Sequence, residues 1–185
     1  MSGPDRWAQA LLPHVLTSDA IVLIDGRSGA GKSTLAQKVS DLAAQQGVWV
    51  QLIHMEDIYP GWDGLADAVE ILATQIVEPL ATGRHAQWQT YDWQQAAPGP
   101  VRRAQPGRPV LVEGVGALSQ GSAPHATWRV WLEAPSDLRR SRAFARDGEL
   151  YPPHWDGWAD AEAAFIRTHR PAELADIVID VEENP

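Results

Sequence analysis

Apolar positions along this chain follow two rhythms. Trp7, Leu11, Leu12 and Val15 recur at helical spacing, and Pro4 suits a first turn, so the pattern predicts a helix over 4–16. Ala20-Ile-Val-Leu-Ile24 is instead a continuous, largely β-branched run, as expected of a strand covered on both faces. A glycine-rich turn follows, then a helical stretch with Leu35, Val39 and Leu42 on one face and Gly47 placed to end it. Val48 to His54 reads as a second strand. Asp63 is positioned to cap a helix whose stripe is Leu65, Val69, Leu72, Ile76 and Leu80. Residues 109–112, 128–132 and 177–179 supply three further strands, with helices over 137–146 and 158–169. Trp7, Trp49 and Trp128 fall in these elements and are expected in the core. Two stretches break the pattern, the Pro/Gly-rich residues 94–109 and residues 148–157, and both read as loops. Short apolar strands alternating with helices predict an α/β fold, a five-stranded parallel sheet with helices on both faces.

Composition narrows the chemistry. The chain has 185 residues, which suits a single domain. It contains no cysteine, which removes disulfides, thiolate metal sites and cysteine nucleophiles. The net charge of -9 argues against binding along a nucleic-acid backbone, which requires a basic face. No run approaches the ~20 apolar residues of a membrane span, and residues 1–6 lack the basic-then-apolar pattern of an export signal. A cytoplasmic location is the expectation, with no membrane partner. Oligomeric state is not legible.

One motif is specific. Gly26-Arg27-Ser28-Gly29-Ala30-Gly31-Lys32-Ser33 satisfies G-x-x-x-x-G-K-[ST] without a gap, and Thr34 follows it. Glycines let the backbone curl so that its N–H groups converge on phosphate oxygens, and the next helix adds its positive dipole end. The lysine reaches the β- and γ-phosphates, and the Ser33 hydroxyl is placed to ligate Mg²⁺. The required context, a strand before and a helix after, is present. Lys32 is one of only two lysines, so abundance does not explain the match. A guanine reader of the Asn-Lys-x-Asp type is excluded, because the one asparagine is Asn184. A compact P-loop domain of this kind suits phosphoryl transfer to a small molecule, with ATP and Mg²⁺ as its cofactors.

Further segments resemble the uridine kinase/phosphoribulokinase family of P-loop small-molecule kinases. Ile24 to Thr34 looks like that family's first strand and loop. Met55-Glu56-Asp57-Ile58-Tyr59 is similar to its Asp-x-Phe-Tyr segment, where the acid activates the acceptor hydroxyl. Tyr91-Asp92-Trp93 resembles its Tyr-Asp-Phe segment near the acceptor. Leu111-Val-Glu113-Gly114 resembles the strand whose glutamate helps hold Mg²⁺, and Arg142-Ala-Phe-Ala-Arg146-Asp147 resembles its arginine-rich lid. The resemblance covers Ile21 to about Asp147. It implies a three-layer P-loop nucleoside triphosphate hydrolase fold with strand order 2-3-1-4-5, a lid over about 137–157, and ATP-dependent transfer to a small hydroxyl-bearing metabolite, with nucleosides among the acceptors. It implies Lys32, Arg142 and Arg146 as catalytic groups, Ser33 and Glu113 as metal ligands, and Tyr59, Tyr91, Asp92 and Trp93 beside the substrate.

Some alternatives stay open. Where the family has Asp three residues before Tyr, this chain has Glu56, with Asp57 beside it. If the backbone stays extended, the two side chains point to opposite faces and only one can reach the acceptor. Register against Tyr59 favours Glu56; side-chain length favours Asp57, and both are retained as the base. Arg139 shares a helical face with Arg142 and Arg146. Asp25 and Arg27 flank the first loop glycine as braces. His54, His125 and His154 show no ligand spacing and read as loop or surface residues. Trp62, Trp88, Trp93, Trp155 and Trp158 lie in or beside the acceptor and lid loops, where stacking on a ligand and plain packing serve equally. A kinase of a sugar acid or vitamin precursor and a non-catalytic ATP-binding regulatory module remain the rival functions.

Overall fold

The computed structural model describes residues 3–147 and 154–181. Its centre is a parallel sheet of β1 (Ile21–Gly26), β2 (Gln51–His54), β5 (Val110–Glu113), β6 (Trp128–Glu133) and β7 (Ile177–Asp180), ordered β2-β5-β1-β6-β7. Counting only these strands, the order is the expected 2-3-1-4-5, and every neighbouring pair is parallel. Alternation along β1 divides the core between the two faces. Ile21 and Leu23 join Ile53, Val110 and Val112 on one face. Val22 and Ile24 join Leu111, Val130 and Leu132 on the other.

Helices α1 (Gly3–Leu11) and α2 (Lys32–Gln45) cover the second face. The N-terminal helix ends earlier than expected, passing at Leu12 into a 3₁₀ turn that contains Pro13. Gly47 lies in the left-handed region at φ 80° just past α2, as its position suggested. The first face is covered by α3 (Leu65–Ile71), a π-helical turn over Leu72–Val77, α4 (Glu78–Ala81), and α6 (Trp155–His169). All five stripe residues from Leu65 to Leu80 are buried. Their spacing slightly exceeds 3.6 residues per turn, and the wide π turn keeps them on one face. Gly64, not Asp63, holds the N-cap of α3, with no side-chain hydrogen bond. A fifth helix, α5 (Ser136–Asp147), precedes α6, and a short α7 (Pro171–Leu174) leads into β7.

Two expectations are corrected. Residues 94–109 are not one loop, because β3 (Ala86–Asp92) and β4 (Ala97–Ala104) form an antiparallel hairpin outside the main sheet. Pro98, Gly99 and Pro100 disguised β4, which pairs on one side only, and prolines are tolerated on such an edge strand. Trp49 is not in the core: it is 78% exposed, because the second strand starts only at Gln51. No helix among the described residues is long and apolar enough to cross a membrane.

Candidate functional site

The strands of the parallel sheet end along one edge, where ligands bind in open α/β folds. At the end of β1 the chain turns through Gly26 to Gly31 into α2. Gly31 takes φ 98° at the N-cap, and no side chain caps the first turn, which leaves its N–H groups for an anion. The Arg27 carbonyl accepts from the Ala30 N–H at 3.1 Å and from Lys32 Nζ at 3.1 Å, so the lysine folds back over the loop. Asp25, fully buried behind the loop, accepts from the backbone N–H groups of Gly26, Gly116 and Leu118. Burial pushes its carboxyl up to about 7, against those bonds and the charge of Lys32.

Glu113 ends β5, and His54 ends β2 in register beside it. In adjacent parallel strands, register partners project to the same face, and His54 Nδ1 meets Glu113 Oε1 at 2.6 Å. Burial, with only 5% of the residue exposed, pushes the Glu113 carboxyl up. The His54 hydrogen bond, the Lys32 charge and the Ser33 hydroxyl outweigh that and hold it below the ordinary value. The same bond raises His54, opposed by partial burial and aided by the charges of Glu113, Asp57 and Glu56. Lys32, Ser33 and Glu113 therefore converge as expected. An ionised carboxylate beside a hydroxyl is a hard-oxygen pair suited to Mg²⁺.

Glu56 and Asp57 lie exposed beyond β2, but in a 3₁₀ turn over Met55–Asp57. The turn removes the opposite-faces distinction between them. Tyr59 is buried, donates its hydroxyl to the Val115 carbonyl at 2.8 Å, and packs edge-on against Trp158; it braces the site rather than offering a group to substrate. Burial raises its phenol well above the ordinary value. Asp92 caps the hairpin turn by accepting from the N–H groups of Gln94 and Gln95. Trp93 donates its indole N–H to the Glu56 carbonyl and sits edge-on to Trp62 and Tyr91. Trp62 also stacks on His154 at 4.4 Å and meets Trp158 edge-on. Tyr91, Trp93, Trp62, Trp158 and His154 are thus one aromatic cluster, and Trp88 is buried in the core.

The lid expectation divides. Arg139 is buried and bonded to the carbonyls of Ala134 and Ser28, so it anchors α5 to the loop instead of sweeping over it. Arg142 lines a cavity of about 510 Å³ that also touches Gly31 and Thr34. The Arg146 side chain and residues 148–153 of the anticipated hinge lie outside the described residues.

Sequence reasoning missed two groups. His54 was read as a loop residue; aligning the ends of the second and third strands would have set it beside Glu113. Glu162 of α6 is only 2% exposed and accepts from the Ser28 N–H at 2.8 Å, from Arg27 Nε at 3.2 Å and from the Trp158 indole at 3.1 Å. Its signal was a carboxylate inside the apolar stripe of Trp158 and Phe165.

No protein-family model matches the chain, and no curated protein matches it in sequence. Solved structures do match. One from Bacillus stearothermophilus, described as a "possible uridine kinase", is 24% identical with a TM-score of 0.68, covering 95% of this chain and 98% of that one. Another from Silicibacter sp., described as a "putative fructose transport system kinase", is 16% identical with a TM-score of 0.57 across 100% of both chains. The chain shares their three-layer α/β fold.

Proposed function

We propose that this protein is a kinase that transfers the γ-phosphoryl group of ATP to a hydroxyl of a small metabolite. The reading rests above all on Glu113: a buried carboxylate kept ionised by His54, Lys32 and Ser33 at the mouth of a phosphate-binding loop. The N–H groups of the loop and the first turn of α2 bind the phosphates, and Lys32 neutralises charge on the β- and γ-oxygens. Ser33 and Glu113 would hold Mg²⁺, which supplies further charge neutralisation there. Asp57 or Glu56 accepts the acceptor's hydroxyl proton as its oxygen bonds to phosphorus and ADP departs. Asp57 is favoured on side-chain length, since the extra methylene of Glu56 would displace its oxygens by about 1 Å. Arg142, which lines the cavity beside Gly31 and Thr34, would neutralise charge on the phosphates, the role the resemblance also gives Arg146. Tyr91, Asp92 and Trp93 border the acceptor, and the aromatic cluster around Trp62 and Trp93 suits an acceptor with a flat ring, a nucleoside among them.

The test is γ-phosphate transfer from ATP/Mg²⁺ across a panel of nucleosides, sugars and vitamins, with Lys32→Ala in parallel. Transfer to one class is expected, falling on the order of 10²-fold in the variant as a buried charge-assisted contact is lost. ATP binding without transfer to any acceptor would support the regulatory-module reading instead.

A further inference from the structure

The cavity beside the phosphate loop has walls from outside the family-like region. Its phosphate-side boundary is Gly31 and Thr34. The opposite walls come from α1, through Arg6 and Trp7, and from the end of β7, through Ile179 and Asp180. The Arg6 guanidinium lies 4.7 Å over the Trp7 ring, so this wall pairs a delocalised cation with an indole face. Leu35 and Leu132 add apolar lining. Asp180 brings negative charge to a space that Arg6 and Arg142 would otherwise make attractive to a phosphate. About 510 Å³ with planar and apolar walls falls within the range of small-molecule sites.

Helix α1 is fixed in place rather than loosely apposed. Asp5 pairs with Lys38 of α2, and Ala8 and Leu11 are buried in the core under that helix. Building on the nucleotide reading above, we propose that α1 forms the base-binding wall of the nucleotide site, with the nucleobase stacked on the Arg6–Trp7 pair. The cavity adjoins the loop and the first turn of α2 through Gly31, Thr34 and Leu35, within reach of the sugar and base of a triphosphate that would sit on the loop. A flat, uncharged ring meets an indole face or a delocalised cation in it, the two surfaces on which bases stack best. The N-terminal helix is then part of the active site, not a flanking decoration.

Calorimetric titration of the full chain with ATP/Mg²⁺ and, separately, inorganic tripolyphosphate/Mg²⁺ tests this. Trp7→Ala and Arg6→Ala are each expected to weaken ATP binding, by about tenfold for the tryptophan, while leaving tripolyphosphate affinity unchanged. Trp7→Phe, which keeps a stacking face, should stay within about twofold of the parent for ATP. Retained tripolyphosphate binding shows that the loop is folded in each variant. Unchanged ATP affinity in both alanine variants overturns the proposal, as does an equal loss of both ligands. If the parent chain binds neither ligand, the nucleotide reading itself falls, and this inference with it.

Discussion

A histidine paired with a buried carboxylate ties stability to pH. His54 is raised above its ordinary 6.5, so its contribution is complete below 6.5 and is lost as pH rises through the raised value. Glu113 is held below its ordinary 4.5, so its contribution is complete above 4.5 and is lost as pH falls through the lowered value. Both are present between 4.5 and 6.5. His54→Asn should therefore lower the melting temperature by about 1–3 °C near pH 5.5 and much less near pH 9, a modest effect because the imidazole is partly exposed. A difference that grows with pH would show that the pair is not charged. Two and three residues further on, Asp57→Asn is expected to cut transfer on the order of 10²-fold with ATP affinity nearly unchanged, and Glu56→Gln much less. The reverse ranking would move the base to Glu56. These roles were only half legible. The family resemblance marked Glu56, Asp57 and Glu113, whereas His54 acquires its meaning from a strand neighbour 59 residues away.

At the scale of elements, the phosphate loop is gripped from outside by α5. A Cβ on Gly29, which holds φ 80°, would lie 2.1 Å from the backbone oxygen of Arg139. A Cβ on Gly31, at φ 98°, would meet nothing within 4 Å. Gly31→Ala should cost only the left-handed backbone penalty, about 1–2 kcal/mol. Gly29→Ala adds a clash that forces α5 off the loop, and about 3 kcal/mol or more is expected in urea unfolding. Similar losses for the two would mean that α5 yields easily. The motif predicts glycine at 26 and 31 but not which loop glycine is pressed against another helix. The hairpin of β3 and β4 shows the converse limit: Thr90 Oγ1 donates to the Pro100 carbonyl at 2.7 Å, a cross-strand contact that local propensity does not encode.

Across the whole molecule, α6 joins the two halves of the candidate site. Glu162 holds the Ser28 N–H and Arg27, while Trp158, one turn earlier, donates to Ser28 Oγ at 2.9 Å and packs against Tyr59 and Trp62. The aromatic cluster and the glycine-rich loop are thus held by the same turn of α6. Glu162→Ala strands a loop N–H and a guanidinium; about 2–3 kcal/mol is expected by chemical denaturation, below the full cost of a broken buried pair because Arg27 reaches solvent. ATP affinity should fall with it. Loss of stability without loss of affinity would confine Glu162 to packing.

The sequence by itself determined the five strands of the parallel sheet, the helix stripes, the strand order through its resemblance, and the phosphate loop. Apart from the strand order, each of these is written in local periodicity or in one contiguous motif. Tertiary structure alone decided that His54 meets Glu113, that Arg139 anchors rather than sweeps, that Glu162 clasps the loop, and that α1 and β7 close a cavity beside it. Those contacts join residues from 59 to more than 130 positions apart. Sequence periodicity shows which face of an element is buried, but the partner on that face is chosen only when whole layers pack together and every buried charge must find its counterpart.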